Sequence, residues 1–541
     1  MTQADPNAPT EFNPEDHVDA EDQRTRLVMT VAALPPVERE RAAEDLLRRP
    51  GVPGPATEHA IQHLVGTWSE PGRGARSRTE VIAKGADDFY AKQYRQYLNP
   101  TMGAFAATAT LALIGAGTSP RDGDALREVR ASMVQGRLHI PPIHVIDHQS
   151  VAVAIAVPRW LTSDDPSSFW PWVRGQGPLP ESIRVAIAGQ PVDSCRPGAL
   201  AFERSRSAST LEAMDAALTS GKIAILALHP TDPDAMGLHI TLFGVVGRDA
   251  TTLTAEHGLD SEAFAAMEEA VRQDECELVF LVGTTEEVFT QCSQNLFIKR
   301  APREGEAPPT SMGWNPADPL SNLINAQFEL LQITVSASGL PGASPRNGDI
   351  GSDAYVVQQG NRDLLLIPYQ PGNFIHGHAA KLWTNPYGAI VVHDDHDSLR
   401  TVILRGPSRV LSPDEARTAY PEVVTSEVER TSSAPGNRQP AYWFEQEIAE
   451  IIMESESLDP MVLDEGRATC TISAAGQARY GKKPAYFDAG TLSEYDPNLQ
   501  HQREAAGRSI DPTGSEHRRW ESEVAEKLQT RQEHLASIAA G

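Results

Sequence analysis

Residues Ser150–Val157 read SVAVAIAV, a run in which alanines alternate with larger β-branched residues. Because a period of two places successive side chains on opposite faces, this run predicts a β-strand. Toward the N-terminus the pattern is helical instead, with proline or glycine near the ends of segments 37–49, 57–65 and 79–98. The spacing of apolar residues therefore changes from helical to strand-like near residue 136.

Beyond this strand, helical and strand-like segments alternate as far as about residue 299. Further strands are predicted at Ile183–Ala188, Ile223–Leu228, His239–Val246 and Leu278–Val282. Helices are predicted at Ser209–Ser220, Ser261–Arg272 and Thr285–Gln291. Ser209 and Glu212 have the spacing of a capping box, and Gly221 ends that helix. The interleaving predicts a mixed α/β domain over residues 136–299.

The remainder of the chain divides into a linker and two further regions. Residues 300–353 are rich in proline and glycine and predict a linker with one helix. Residues 354–425 predict a β-rich domain with hairpins. Residues 426–541 predict a helical C-terminal region, with helices at Trp443–Met453 and Ser515–Ala540.

The N-terminal residues complete the predicted organisation. Residues 1–23 are acidic and nearly free of large apolar side chains, which predicts a disordered tail. Residues 24–130 predict a helical domain, in which the apolar window Thr101–Gly117 forms a buried helix rather than a membrane span. The fold class predicted for the whole chain is a multidomain α+β protein with a helical N-terminal domain and a helical C-terminal extension.

Charge and cysteine content restrict the classes of function. The 541 residues include 47 Lys and Arg against 73 Asp and Glu, which gives a net charge of -26. So negative a field opposes binding to nucleic acid or to an anionic membrane surface. The first residues lack the features of a signal peptide, and the four cysteines are widely spaced. We therefore expect an acidic, cytoplasmic protein without nucleic-acid or membrane partners.

One cluster of histidines and aspartates predicts a metal site. Residues 371–400 read PGNFIHGHAAKLWTNPYGAIVVHDDHDSLR and hold four of the 16 histidines. On a strand, His376 and His378 face the same side, and a turn at 385–388 would return His393 beside them. Three imidazoles suit a divalent transition metal (Zn, Fe, Mn or Ni), and Asp395 or His396 then serves as the catalytic acid or base. The alternative is a solvated turn without metal.

Three functions remain open from the sequence. The first is a metal-dependent cytoplasmic enzyme, a hydrolase, lyase or oxygenase, that acts on a small polar substrate through the His/Asp cluster. The second is a non-catalytic assembly or interaction protein that self-associates as a homo-oligomer. The apolar stripe of the last predicted helix either docks on the body or pairs with a second copy; its members are Trp520, Val524, Leu528, Leu535 and Ile538. The third is a small-molecule sensor that binds its ligand in the middle domain without turnover.

Overall fold

A computed structural model gives the structure of the chain. It describes residues 98, 100–119, 126–136, 140–163, 165–192, 198–230, 237–290, 297–300, 314–327, 329–337, 339–347, 354–369, 377–393, 401–432, 440, 442–455, 462–467 and 515–540. The predicted tail over 1–23 and most of the predicted helical domain over 24–130 lie outside these residues.

Strands make up most of the regular structure. In chain order they are β1 (Leu111–Gly117), β2 (Val129–Gln135), β3 (Ile143–Val145), β4 (Ser150–Pro158), β5 (Gln190–Pro191), β6 (Leu200–Ser205), β7 (Lys222–Leu228), β8 (Leu238–Arg248), β9 (Cys276–Thr290), β10 (Phe297–Arg300), β11 (Glu329–Val335), β12 (Pro341–Asn347), β13 (Tyr355–Gln359), β14 (Arg362–Tyr369), β15 (Tyr387–His393), β16 (Thr401–Leu411), β17 (Tyr442–Glu447), β18 (Glu450–Ser455) and β19 (Val462–Arg467).

The helices have 5 to 15 residues, apart from the last, which has 26. In chain order they are α1 (Pro100–Thr108), α2 (Arg159–Ser163), α3 (Pro166–Val173), α4 (Glu181–Ala188), α5 (Arg206–Ser220), α6 (Ala250–His257), α7 (Ser261–Gln273), α8 (Leu320–Ile324), α9 (Gly377–Thr384), α10 (Pro413–Ala419), α11 (Pro421–Ser432) and α12 (Ser515–Ala540). Among the residues that the structure describes, no helix combines the length and the apolar character needed to cross a bilayer.

The first sheet has seven strands in the order β2-β1-β7-β8-β9-β4-β3, and every neighbouring pair is antiparallel. Strands β1, β4 and β7 are buried along most of their length. Helix α5 covers one face of the sheet. It begins after Ser205, whose side chain accepts a hydrogen bond from the Ala208 amide, and ends at Gly221 in the left-handed conformation.

The second sheet has ten strands and includes a strand from the first half of the chain. Its main order is β12-β11-β15-β16-β17-β14-β13, with β18 pairing β16. Strand β6 pairs β18 in parallel, and β5 pairs β6. Because β6 leads directly into α5, the helix that covers the first sheet is anchored to the second sheet.

The two sheets pack face to face through a shared apolar core. The residues that meet there are fully buried and include Leu113, Ala131, Leu226, Leu331, Ile333 and Val391. The contact is close enough that a Cβ atom placed on Gly115 would lie 2.5 Å from the Cδ1 atom of Ile333. Glycine is therefore required where β1 crosses β11.

The predicted fold class is wrong for the described residues. Strands, most of them in two large sheets, are their commonest element, and they show no helical N-terminal domain. Leu111–Gly117, expected within a helix, is the buried strand β1. Trp443–Met453, also expected to be helical, forms β17 and β18, because neighbouring strands and the core cover their apolar residues on both faces.

Short segments account for the other errors. Ile183–Ala188 lies in the helix α4 rather than a strand, and Thr285–Thr290 continues strand β9 rather than starting a helix. A run of six or seven residues fits both the helical period and the strand period of two, so tertiary packing decides which element forms.

The predicted helix over Ser515–Ala540 is confirmed as α12. Its residue Trp520 is buried, and the indole Nε1 donates a hydrogen bond to the Leu98 carbonyl at 2.8 Å.

Candidate functional site

The segment predicted as a metal-binding hairpin folds as a helix followed by a strand. Gly377–Thr384 forms α9 and Tyr387–His393 forms β15, so the predicted strand at 374–383 is wrong. Ala379 and Leu382 are three residues apart, and both are buried in the core of the second sheet. This spacing is helical, and tertiary packing of these two side chains favours the helix over the alternating pattern.

His378 uses both ring nitrogens within the protein. Its Nδ1 lies 2.8 Å from Thr334 Oγ1, and its Nε2 lies 2.7 Å from Ser344 Oγ. Burial, helped by the positive charge of Arg346, holds the pKa of His378 well below its usual value. The ring is therefore neutral, with one nitrogen donating and the other accepting. This arrangement leaves neither nitrogen available to a metal.

The other predicted site residues do not form a described site. His376, Asp395 and His396 lie outside the described residues, and His393 is the last residue of β15. Within the described part of the chain, no group of three or more His, Cys, Asp or Glu side chains is placed to hold a metal ion. The divalent transition metal therefore gains no support from the structure.

A buried ionisable cluster joins the two sheets near His378. Lys381 Nζ of α9 lies 3.9 Å from Glu287 Oε2 of β9, and His239 Nε2 of β8 lies 3.7 Å from the same oxygen. His239 Nε2 also contacts Thr241 Oγ1 at 2.8 Å, and its Nδ1 contacts the Ala343 carbonyl of β12 at 3.0 Å. The contact with Ala343 crosses from the first sheet to the second, and the pair with Lys381 joins the first sheet to α9.

Burial controls the charges in this cluster. Burial lowers the pKa of His239, which is consequently neutral. Burial opposes ionisation of Glu287, but the charge of Lys381 and the hydrogen bonds from His239 and Thr241 together outweigh it, and the pKa of Glu287 is lowered. All three side chains are almost fully covered, so a substrate in solution has no access to them. Their role is to fasten the sheets together, with His239 stacked on the Phe289 ring at 4.4 Å.

A second buried network fixes α5 against the second sheet. Glu212 of α5 contacts Arg130 Nε at 3.0 Å, Arg204 Nη1 at 2.9 Å and Arg405 Nη2 at 2.6 Å. Arg405 is fully buried and also contacts Glu450 at 3.1 Å. Burial alone would raise the pKa of Glu212, but the three guanidinium charges outweigh it and lower this pKa to about 2. Glu212 is therefore ionised at neutral pH.

An open cavity lies on the first sheet, at the edge of α5. Its volume is about 300 Å³. The apolar part of its wall comes from β2, β4 and β9 and from the loop before β3, and includes Met133, Ile140, Ala154, Ala156 and Leu278. The polar part comes from the first turns of α5, with Arg206, Ser207 and Thr210, and from Asp274 and Glu275 before β9. Trp160 of α2 stands at the cavity with 53% of its surface exposed.

One residue at this cavity has an unusual backbone conformation. Glu275 has a φ of 57°, and it is the one non-glycine residue with positive φ in the described part of the chain. Left-handed backbone costs a side-chain-bearing residue roughly 1–2 kcal/mol. The Glu275 carbonyl accepts a hydrogen bond from the Arg159 amide at 2.8 Å, which ties the helix of Trp160 to the start of β9. Such strain is concentrated at functional sites in proteins.

Sequence reasoning did not identify this cavity. Arg206 belongs to no motif, and Ser209 and Glu212 were expected to cap the helix that in fact begins at Arg206. Trp160 directly follows the strand β4, and its exposure depends on the chain's tertiary path. The cavity does lie within the region 136–299, apart from its β2 wall, where the sequence places a small-molecule sensor site.

Comparisons with known proteins give remote structural likenesses. A structure of HupZ from Group A Streptococcus is 14% identical, with a TM-score of 0.18, and the match covers 26% of this chain and 95% of that one. HutZ from Vibrio cholerae, described as a heme storage protein, is 17% identical with a TM-score of 0.18 and coverages of 25% and 92%. An FMN-binding protein from Nostoc punctiforme, related to pyridoxamine 5'-phosphate oxidase, is 11% identical with a TM-score of 0.17 and coverages of 25% and 77%.

No protein-family profile matches the sequence, and no curated protein matches it. The structural likenesses are too remote to place the chain in a family.

Proposed function

We propose that the protein binds a small organic anion with an apolar, planar body in the cavity beside α5. The observation that carries this proposal is the division of the cavity wall into an apolar side and a polar side that holds Arg206. Arg206 is the one cation among the lining residues, and a guanidinium pairs well with a carboxylate or sulfonate. The exposed indole of Trp160 offers a flat surface for stacking.

The size and charge of the cavity limit the ligand. A volume of about 300 Å³ is at the lower end of the range for small-molecule sites. Asp274 and Glu275 are exposed at the same cavity and repel negative charge. These features favour a compact ligand with a single negative charge over a polyanion.

Two fluorescent dyes with the same ring system test this proposal. Anilinonaphthalene sulfonate carries one negative charge, whereas N-phenyl-1-naphthylamine lacks the sulfonate and is neutral. We expect Arg206→Met to lower the affinity for the sulfonate dye about tenfold, equivalent to about 1.4 kcal/mol, and to leave the affinity for the neutral dye unchanged. Arg417→Met, at an exposed arginine of α10, is the matched control. Equal losses for both dyes, or no loss for either, would contradict the proposed role of Arg206.

Two variants of the cavity wall test whether the dye binds in the cavity. Ala156→Phe fills space in the apolar wall, so we expect it to reduce the binding of both dyes. Cys276 also lines the cavity, and we expect the sulfonate dye to slow its reaction with a maleimide when the other cysteines are replaced by serine. Unchanged labelling at saturating dye would place the dye elsewhere on the protein.

The cofactors named for the remote structural neighbours serve as comparison ligands. FMN carries a doubly charged phosphate, which the acidic residues Asp274 and Glu275 disfavour. Haem carries two carboxylates on a rigid macrocycle, which is large for a cavity of about 300 Å³. We expect both to bind more weakly than the sulfonate dye in a competition assay.

The metal-dependent enzyme and the self-associating protein remain as alternatives. The first predicts stoichiometric transition metal in the purified protein. The second predicts a particle whose mass rises with protein concentration. Elemental analysis together with light scattering after size-exclusion chromatography distinguishes both from a metal-free binding protein.

A further inference from the structure

Glu454 of β18 is buried without the hydrogen bonds that such a carboxyl group normally makes. Only 1% of the residue is exposed, and neither carboxyl oxygen makes a hydrogen bond of normal geometry among the described residues. Thr401 Oγ1, on the residue directly across the strand pair, is likewise buried without a partner, and the Ser209 hydroxyl of α5 lies close enough to Glu454 to favour its ionised form without a hydrogen bond of normal geometry. Buried polar groups are nearly always hydrogen-bonded, so this concentration of unsatisfied atoms calls for a specific explanation.

Among the described residues, the three elements that pack against this part of β18 each contribute charged groups. Strand β6 contributes Arg204, β16 contributes Arg405, and α5 contributes Arg206 and Glu212. Arg204 and Arg405 are both bound to Glu212, whereas Arg206 is not one of the contacts of that carboxylate. Arg206 is the arginine that both acts on Glu454 and lines the cavity.

Glu454 changes its charge within an accessible pH range. Burial raises the pKa of Glu454 to about 8, and the Ser209 hydroxyl and the charges of Arg206, Arg405 and Arg204 oppose this rise only in part. The carboxyl group is therefore mostly neutral at pH 7 and mostly ionised at pH 9. An ionised Glu454 would attract the guanidinium of Arg206, a residue that also lines the cavity.

We propose that Arg206 links the cavity to Glu454, so that an anion in the cavity and the ionised carboxylate of Glu454 compete for one guanidinium and the anion binds together with a proton. This inference rests on the proposed function, because it takes the cavity as the anion site. The ligand class is a monovalent organic anion, and the co-ligand is one proton. By linkage, the proton strengthens anion binding by the same factor by which the anion strengthens proton binding.

The test measures the affinity of anilinonaphthalene sulfonate from pH 6.5 to pH 10. The sulfonate stays ionised throughout this range, so a change in affinity reports on the protein. We expect the wild-type affinity to fall about fivefold or more as the pH rises through about 8. A fivefold change is at the lower end of typical coupling between two sites. Neutral N-phenyl-1-naphthylamine should show no such fall.

Glutamine at position 454 mimics the protonated carboxyl group. We expect Glu454→Gln to bind the sulfonate dye with the low-pH affinity of the wild type at every pH. Glu429→Gln, at an exposed position on α11, is the control and should keep the wild-type pH dependence. Calorimetry of dye binding at pH 8 in buffers of different ionisation enthalpy should show proton uptake for wild type and none for Glu454→Gln.

The outcomes separate this inference from the proposed function. If the sulfonate dye binds with constant affinity from pH 6.5 to 10, the linkage is overturned and the cavity site stands. If Glu454→Gln keeps the wild-type pH dependence, the assignment to Glu454 is overturned. If neither dye binds, the proposed function fails, and the linkage fails with it.

A measurement without dye tests Glu454 itself. Its pKa is raised from 4.5 to about 8 in the folded protein, so the folded state holds a proton that the unfolded chain releases between these values. We expect the folding equilibrium constant of wild type relative to Glu454→Gln to fall about tenfold per pH unit from pH 5 to 8 and to level off above. A constant ratio would overturn the assignment.

Discussion

Replacing Glu212 by glutamine removes the one negative charge that three arginines share where α5 meets the second sheet. The loss leaves Arg405, which is fully buried, with Glu450 as its remaining acidic contact. Breaking a buried ion pair by removing one partner costs roughly 3–5 kcal/mol. The lowered pKa of Glu212 gives a second value for this free energy. A fall from 4.5 to about 2 corresponds to about 3 kcal/mol of stabilisation at neutral pH. We therefore expect Glu212→Gln to reduce the free energy of unfolding by about 3 kcal/mol.

The effect depends on pH in a defined direction. Because the folded-state pKa of Glu212 lies below the unfolded value of 4.5, its contribution is fully present above about pH 5. It is lost as the pH falls from 4.5 toward 2, where the carboxylate becomes protonated in the folded state too. The difference between wild type and Glu212→Gln should therefore be constant from pH 5.5 to 7.5 and shrink by pH 3.

Urea unfolding followed by circular dichroism measures this difference at pH 7 and at pH 3. Glu269→Gln is the control, since Glu269 forms an exposed pair with Arg272 on one helix and such pairs contribute less than about 1 kcal/mol. If Glu212→Gln at pH 7 lies within 1 kcal/mol of wild type, the network does not hold α5 to the second sheet. A difference that persists unchanged at pH 3 would show that the loss does not come from the charge.

Three further predictions concern packing and metal binding. We expect Gly115→Ala to lower the free energy of unfolding by about 1–3 kcal/mol, because its Cβ would lie 2.5 Å from Ile333 Cδ1, and Ile333→Ala in the same chain should restore part of the loss in a double-mutant cycle. Trp520→Ala should cost about 3–5 kcal/mol in urea unfolding, because the buried indole packs on the first sheet's core, and the mass from light scattering should not change. His378→Ala should leave the metal content by elemental analysis equal to that of wild type, because both ring nitrogens are already hydrogen-bonded; a loss of bound metal would support the sequence-based site.

Part of the fold was predictable because its signals are local. The alternation in 150–157 predicts the strand that the structure places at Ser150–Pro158, and Gly221 ends α5 in the left-handed conformation that glycine favours. The long helix Ser515–Ala540 has enough turns for its period to be recognised. In these segments, a few consecutive residues carry the whole signal.

The surroundings of His378 and the cavity beside α5 were not predictable, because both depend on residues that are distant in the sequence. His376 and His378 fit the parity of a strand, but Ala379 and Leu382 pack as a helix against the second sheet, and His378 is turned toward two hydroxyl groups. The strand on which the predicted site depended is therefore a helix. No spacing in the sequence relates Arg206 to Glu454, which lie 248 positions apart along the chain.

The sequence by itself determined the acidic character of the protein, because net charge follows from composition alone. It also determined several strands and the last helix, because their periodicity is carried by neighbouring residues. Tertiary structure alone decided the pairing of β6 with β18, the three arginines on Glu212 and the cavity beside α5. The physical reason is that burial sets the charge state and the contacts of an ionisable side chain, and burial exists only once the two sheets have packed together.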